Sequence, residues 1–119
     1  MKIVLVGASN NPEKYGNKIL KDLISKGYVV YPVNPKENEI EGIAAYKDIL
    51  SIKDDYDVVN FVTPPAVTLD ILKNNLELIK TKKIWCQPGA SDSRVNDFLM
   101  ENNFKDYITD SCIMLKTQK

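Results

Sequence analysis

The sequence predicts an α/β protein: a Rossmann-like, doubly wound and mostly parallel sheet forming a single three-layer domain over residues 1–119. Three observations predict it. Short apolar runs such as Ile3-Val4-Leu5-Val6 are continuous rather than alternating, the mark of strands buried on both faces. Segments of helical period follow these runs in turn, so strands alternate with helices. The links are short, and right-handed crossovers then place helices on both sides of the sheet.

The elements follow in order. Ile3 to Val6 reads as a buried strand, after which Tyr15, Ile19, Leu20, Leu23 and Ile24 share one helical face that stops at Gly27. Tyr28 to Val33 is a second strand, closed by Asn34-Pro35. Residues 43–46 read as an ambiguous short element, an edge strand on one reading. Val58 to Val62 is a further strand. Thr63-Pro64-Pro65 then opens a helix, with a capping hydroxyl and a first-turn proline. Leu69, Leu72, Leu76 and Ile79 mark its buried stripe. Ile84 to Cys86 is a strand, residues 87–90 a turn, and Ser91 caps a helix that buries Val95, Phe98 and Leu99. A last strand at Tyr107 to Thr109 leads into the tail DSCIMLKTQK.

Composition narrows the function. The 16 basic and 16 acidic side chains cancel, and all the basic ones but Arg94 are lysines, so no field of one sign draws in nucleic acid or an anionic membrane. No apolar run approaches the roughly 20 residues a bilayer span needs, and the opening run is too short for a signal peptide. Cys86 and Cys112 are too few for a disulfide scaffold, and a cytoplasmic location is expected. Histidine is absent, which removes the commonest general base and metal ligand; no metal site is expected. Asp54, Asp55 and Asp57 read as a solvated loop, Asp92 and Asp97 as helix-surface charges, and Trp85 as packing.

In a doubly wound sheet, ligands sit beyond the carboxyl ends of the strands. Four loops there carry ligand-type residues: Gly7-Ala8-Ser9-Asn10, Asn34-Pro35-Lys36, Thr63-Pro64-Pro65 and Gln87-Pro88-Gly89. Gly7 permits backbone angles closed to other residues, Ser9 and Asn10 offer side-chain hydrogen bonds, and the helix start offers free amides. Gly16, early in that helix, costs about 1 kcal/mol of helix propensity, which points to close contact with a ligand or the sheet. The loop lacks the G-x-G-x-x-G of a dinucleotide site and the lysine-hydroxyl pair of a P-loop. Lys36 stands where an NAD site carries an acid, so an extra ribose phosphate, as in NADP or coenzyme A (CoA), suits it better. Thr63-Pro64-Pro65 makes an apolar wall for an adenine or a pantetheine arm, and Gln87 faces the pantetheine end. Plain turns, helix initiation and a solvated lysine are the competing readings of these loops.

Taken together, VGAS-NNPEKYGN, GYVVYPVNPK, VVNFVTPP, IWCQPGA and DSCIM resemble the small stand-alone CoA-binding domain proteins. These are similar to the CoA-binding domain of the succinyl-CoA synthetase alpha subunit and of ADP-forming acyl-CoA synthetases. The resemblance runs in register from the first strand to about Met114. It implies a Rossmann-like fold and a CoA ligand. By position, Gly7, Ser9 and Asn10 correspond to the pyrophosphate loop, and Lys36 to the lysine on the nucleotide phosphates. Asn34 shares the second loop. Thr63 and Pro64 line the middle of the ligand, Gln87 its pantetheine side, and Lys14, Tyr15 and Gly16 match a Lys-Tyr-Gly that closes the pocket.

The departures set the expected function. The synthetases carry a phosphorylated histidine on a second domain, and this chain has neither; nor does it carry the DNA-binding domain of NADH-sensing repressors that share the fold. A non-enzymatic module holding CoA or an acyl-CoA is therefore expected. An NADP-dependent reductase and a scaffold that has lost its ligand remain the alternatives. A homodimer or a ligase-like partner protein would fit such a module. Either cysteine, if close to the pantetheine thiol, invites a mixed disulfide; burial in the core is the plainer reading.

Overall fold

The computed structural model describes residues 1–117. Strands β1 (Lys2–Val6), β2 (Val29–Val33), β5 (Val58–Phe61), β6 (Lys83–Cys86) and β7 (Tyr107–Ile108) form one sheet in the order β2-β1-β5-β6-β7. Every pairing in it is parallel. Alternation along β1 explains the continuous apolar run. Ile3 and Leu5 face one core with Ile19, Leu20 and Leu23, whereas Val4 and Val6 face the other with Phe61, Leu72 and Leu99. Helix α1 (Tyr15–Ser25) covers the first face together with a short 3₁₀ turn, Ile113–Leu115. Helices α2 (Pro65–Asn74), α3 (Leu76–Ile79) and α4 (Ser93–Glu101) cover the second. The three-layer Rossmann-like fold is as expected.

Five local expectations change. Residues 43–46 are not a strand of the main sheet: β3 (Glu39–Ile40) and β4 (Ile43–Ala44) form a separate antiparallel hairpin. It touches β2 through the single bridge Val33↔Tyr46, with Tyr46 N–H donating to Pro32 C=O at 2.9 Å. Pro32 has no N–H to give that edge, so a full ladder cannot continue there.

The helix after β5 is two pieces. At Asn75 the backbone leaves the helix: the Ile71 carbonyl accepts both the Asn75 N–H at 3.1 Å and its Nδ2 at 2.9 Å, and α2 ends one turn before Ile79. Leu72 and Ile79 remain fully buried. Thr63 does not cap α2; its hydroxyl pairs with the Thr68 hydroxyl at 2.7 Å, and Pro64 stands at the cap without a side-chain bond. The cap of α4 is Asp92 rather than Ser91. Asp92 Oδ1 accepts from Arg94 N–H at 3.1 Å and Val95 N–H at 3.2 Å. The Arg94 guanidinium and these amides hold the Asp92 carboxyl below its ordinary value.

Tyr15 and Ile24, assigned to the buried face of α1, are instead exposed at its ends. The tail is strapped back over the sheet: Lys26 Nζ donates to the Met114 carbonyl at 2.7 Å, and Trp85 Nε1 to the Ser111 carbonyl at 2.7 Å. Trp85 is buried, as a packing role requires. Gln118 and Lys119, the end of the predicted tail, lie outside the described residues. Among the described residues no helix is long and apolar enough to cross a membrane.

Candidate functional site at the strand ends

From β1 the chain crosses to β2 on one side and later returns to β5 on the other, so the order reverses between β1 and β5. A crevice opens at that reversal. Gly7 follows β1 with φ +96°, and a Cβ there would stand 2.8 Å from Val62 Cγ1. Only glycine lets the two loops meet this closely. Gly16 is as constrained: a Cβ on it would collide with the Gly7 carbonyl oxygen. The cost of Gly16 to the helix is thus explained by contact with the first loop's own backbone.

The loop between β1 and α1 is tied down by two asparagine amides. Asn34 Nδ2 donates to the Ala8 carbonyl at 2.9 Å, and the buried Asn17 donates to the Ser9 carbonyl at 3.0 Å. The Ala8 and Ser9 carbonyls are therefore engaged. The N–H groups of Ala8 and Ser9, and of Tyr15 and Gly16 in the first turn of α1, have no partner among the described residues. Four unengaged donors, two in the loop after β1 and two in the first turn of an eleven-residue helix, favour an anion at this corner.

These residues line a cleft of about 680 Å³. Its walls are Gly7, Ala8, Ser9, Asn34, residues 13–16 of the loop and α1, residues 62–65 after β5, and residues 88–90 after β6. Among the described residues, charge on this wall comes from Glu13 and Lys14 alone. A second cavity of about 270 Å³ adjoins it through Gly7, Asn34 and Thr63, walled by Val33, Pro35, Ile49, Val67 and Ile71, with Lys47 and Asp48 at its polar side. A third, of about 130 Å³, is bounded by Tyr15, Val62, Gln87, Pro88 and Cys112.

Of the residues singled out in the sequence, Gly7, Ser9, Lys14, Tyr15, Gly16, Asn34, Thr63 and Pro64 come together around the main cleft. Gln87 sits on the third pocket instead, 3% exposed, its Oε1 accepting from Ile113 N–H at 2.9 Å. Asn10 and Lys36 line none of the three. The Asn10 amide is used to brace the hairpin: Nδ2 donates to the Glu39 carbonyl and Oδ1 accepts from Glu41 N–H. Lys36 is exposed just beyond Asn34, whose Oδ1 accepts its N–H at 2.8 Å. Lys47, Asn17 and Glu13 were not singled out. Lys47 comes from beyond the hairpin, and nothing local in the sequence ties it to the strand ends. Asn17 is a polar residue on the buried side of α1, and that placement was the available signal.

The two thiols differ. Cys86 is buried in the core against the α2–α4 layer, and burial pushes its thiol up to about 12. Cys112 is half-buried at the third pocket. Among the described residues no group of three or more histidines, cysteines or carboxylates is placed to hold a metal.

The family model for the CoA binding domain matches residues 1–118. An ADP-forming acetate–CoA ligase of Methanocaldococcus jannaschii is 33% identical over 104 residues, covering 87% of this chain and 14% of the ligase. The alpha subunit of an ADP-forming acetate–CoA ligase II from Pyrococcus furiosus is 41% identical over 63 residues, 52% of this chain and 14% of that subunit. The chain thus spans a small part of the length of these relatives. A solved structure of a conserved hypothetical protein from Pyrococcus furiosus superposes with a TM-score of 0.91 at 48% identity and covers 98% of both chains. With the family match spanning every residue of the described fold, this chain belongs to the CoA binding domain family.

Proposed function

We propose that this domain is a cytoplasmic, non-catalytic module that binds CoA or an acyl-CoA in the cleft at the strand ends. The observation that carries the reading is the meeting of four unengaged amides with two adjoining cavities at the sheet's reversal point. CoA has three parts of matching chemistry. Its pyrophosphate suits the amides of Ala8, Ser9, Tyr15 and Gly16, backed by the α1 dipole and by the close turn at Gly7. Its adenine suits the apolar cavity between Pro35, Ile49 and Val67. Its pantetheine arm then runs past Thr63 and Pro64 toward Pro88 and Gln87, under Lys14 and Tyr15. Asn34 and Asn10 hold the loops in register, and Lys36 reaches the ribose phosphate from its exposed position.

Two features support a role in binding rather than in catalysis. The chain has no histidine, and among the described residues the cleft wall offers only Glu13 and Lys14 as charged groups. A ligase-type subunit is the partner class the relatives suggest, since one of them is named as an alpha subunit. The NADP alternative draws no support from the family match.

The test is a thermal-shift titration with CoA, acetyl-CoA, NADP and NAD side by side under reducing conditions. At 100 times its dissociation constant a ligand stabilises the fold by about 2.7 kcal/mol, several degrees in a domain of this size. A shift with CoA or acetyl-CoA and none with NAD is expected. A flat response to all four would overturn the reading in favour of a scaffold, and a shift with NADP alone in favour of a reductase.

A further inference from the structure

The 130 Å³ pocket shares Tyr15, Val62 and Pro88 with the main cleft, and its remaining walls are Gln87 and Cys112. Cys112 is not carried on a free tail. Trp85 Nε1 donates to the carbonyl of Ser111 at 2.7 Å, and Gln87 Oε1 accepts from the N–H of Ile113 at 2.9 Å. Two buried side chains from the end of β6 thus pin the residues on either side of the cysteine. Lys26 Nζ ties the next residue, Met114, at 2.7 Å.

Gln87 adds an independent sign of a ligand. It is 3% exposed, and only its carbonyl is engaged; its Nε2 has no partner among the described residues. The side chain is buried, and its free amide donor keeps a little accessible surface on a pocket wall, a place for a polar ligand atom. A thiol, a small apolar enclosure and one open donor, joined to the main cleft through Tyr15, Val62 and Pro88, match the end of a pantetheine arm. Strand alternation meanwhile sends Cys86 to the opposite face of the sheet, so of the two thiols only Cys112 meets this site.

We propose that this pocket receives the thiol end of CoA and that Cys112 accepts it in a mixed disulfide, so that the domain captures CoA covalently when CoA is presented as its disulfide. The proposal rests on the CoA-binding reading above. The step is a thiol–disulfide exchange. The Cys112 thiolate attacks one sulfur of CoA disulfide, the bond between the two CoA sulfurs breaks, and a Cys112–CoA sulfur–sulfur bond forms. The departing CoA thiolate takes up the proton that Cys112 released. Cys112 is oxidised, one CoA is set free reduced, and no other oxidant is needed. Binding of one CoA half in the cleft makes the attack effectively intramolecular, which raises its rate over that of an unbound disulfide.

The experiment incubates the reduced, full chain anaerobically with CoA disulfide or, separately, with oxidised glutathione, and follows intact mass without reductant. The expected product is one adduct of the mass of CoA less two hydrogens, located at Cys112 by peptide mapping and removed by dithiothreitol. It should form about tenfold or more faster than the glutathione adduct and slow in excess 3′-phospho-ADP. It should disappear in Cys112→Ser. An adduct at Cys86, an internal Cys86–Cys112 disulfide, or equal rates with both disulfides would overturn the proposal. Calorimetry with reduced CoA in dithiothreitol separates the two levels: no binding there removes the CoA reading itself, whereas binding without a selective adduct removes only the role of Cys112.

Discussion

Gly16 packs its α-carbon against the carbonyl oxygen of Gly7, leaving no space for a β-carbon between the first turn of α1 and the end of β1. The contact sets how the unengaged amides of Ala8, Ser9, Tyr15 and Gly16 are grouped, because it fixes the helix start against the loop. Its effect on stability and on binding can be separated from helix propensity by size.

Gly16→Ala should gain at most about 1 kcal/mol of helix propensity. The collision is with backbone, which cannot rotate away, and overpacking of this kind costs about 1–3 kcal/mol. A net loss of stability is therefore expected in urea unfolding, with CoA affinity lowered by about tenfold or more as the amides spread. A variant as stable as the parent with unchanged affinity would show that the loop yields and that the contact does not organise the site.

Under the proposed function, Lys36 and Lys47 are the two candidates to meet the 3′-phosphate of CoA. Lys36 follows Asn34 directly but is exposed, whereas Lys47 lines the apolar cavity and its Nζ donates to the Glu37 carbonyl at 3.2 Å. Calorimetry with CoA and dephospho-CoA decides between them. Lys36→Glu should weaken CoA by about tenfold or more and leave dephospho-CoA nearly unchanged, since a charge-assisted bond contributes about 1.5–3 kcal/mol. If Lys47→Glu gives that pattern and Lys36→Glu does not, the phosphate belongs to Lys47.

What could be read from the sequence divides along a physical line. Strands buried on both faces write themselves as apolar runs, so β1, β2, β5 and β6 were legible, and with them the loops that follow each strand. Glycines at close approaches were legible as well, because Gly16 is unfavourable where it stands unless something needs the space. Choices between neighbouring residues of similar chemistry were not. Ser91 and Asp92 can both cap a helix, and only backbone geometry selects Asp92. Asn10 and Asn17 are both loop-compatible amides, yet one braces a hairpin and the other holds the Ser9 carbonyl. Contacts between distant segments leave no local trace at all, which is why Lys47 beside Pro35 and Cys112 beside Gln87 emerge only from the fold.

Cys86 gives a prediction about pH that does not depend on any ligand. Burial raises its thiol from an ordinary value of 9.0 to about 12. The folded chain therefore keeps a proton that the unfolded chain gives up once the pH passes 9. Where the unfolded state binds fewer protons, stability falls as pH rises. The contribution of Cys86 is then fully present below pH 9.0 and is lost progressively toward about pH 12. Lysines and tyrosines also titrate in this range, so the measurement is a difference: urea midpoints of the parent and of Cys86→Ala at pH 7.5 and at two or more steps above pH 9. The variant starts lower, because a small cavity replaces the buried sulfur. The gap should narrow as the pH rises, since only the parent has this thiol to ionise on unfolding. A gap that stays constant would mean that Cys86 ionises as readily in the folded chain as in the unfolded one, and that the core against the α2–α4 layer is more open to water than its burial implies.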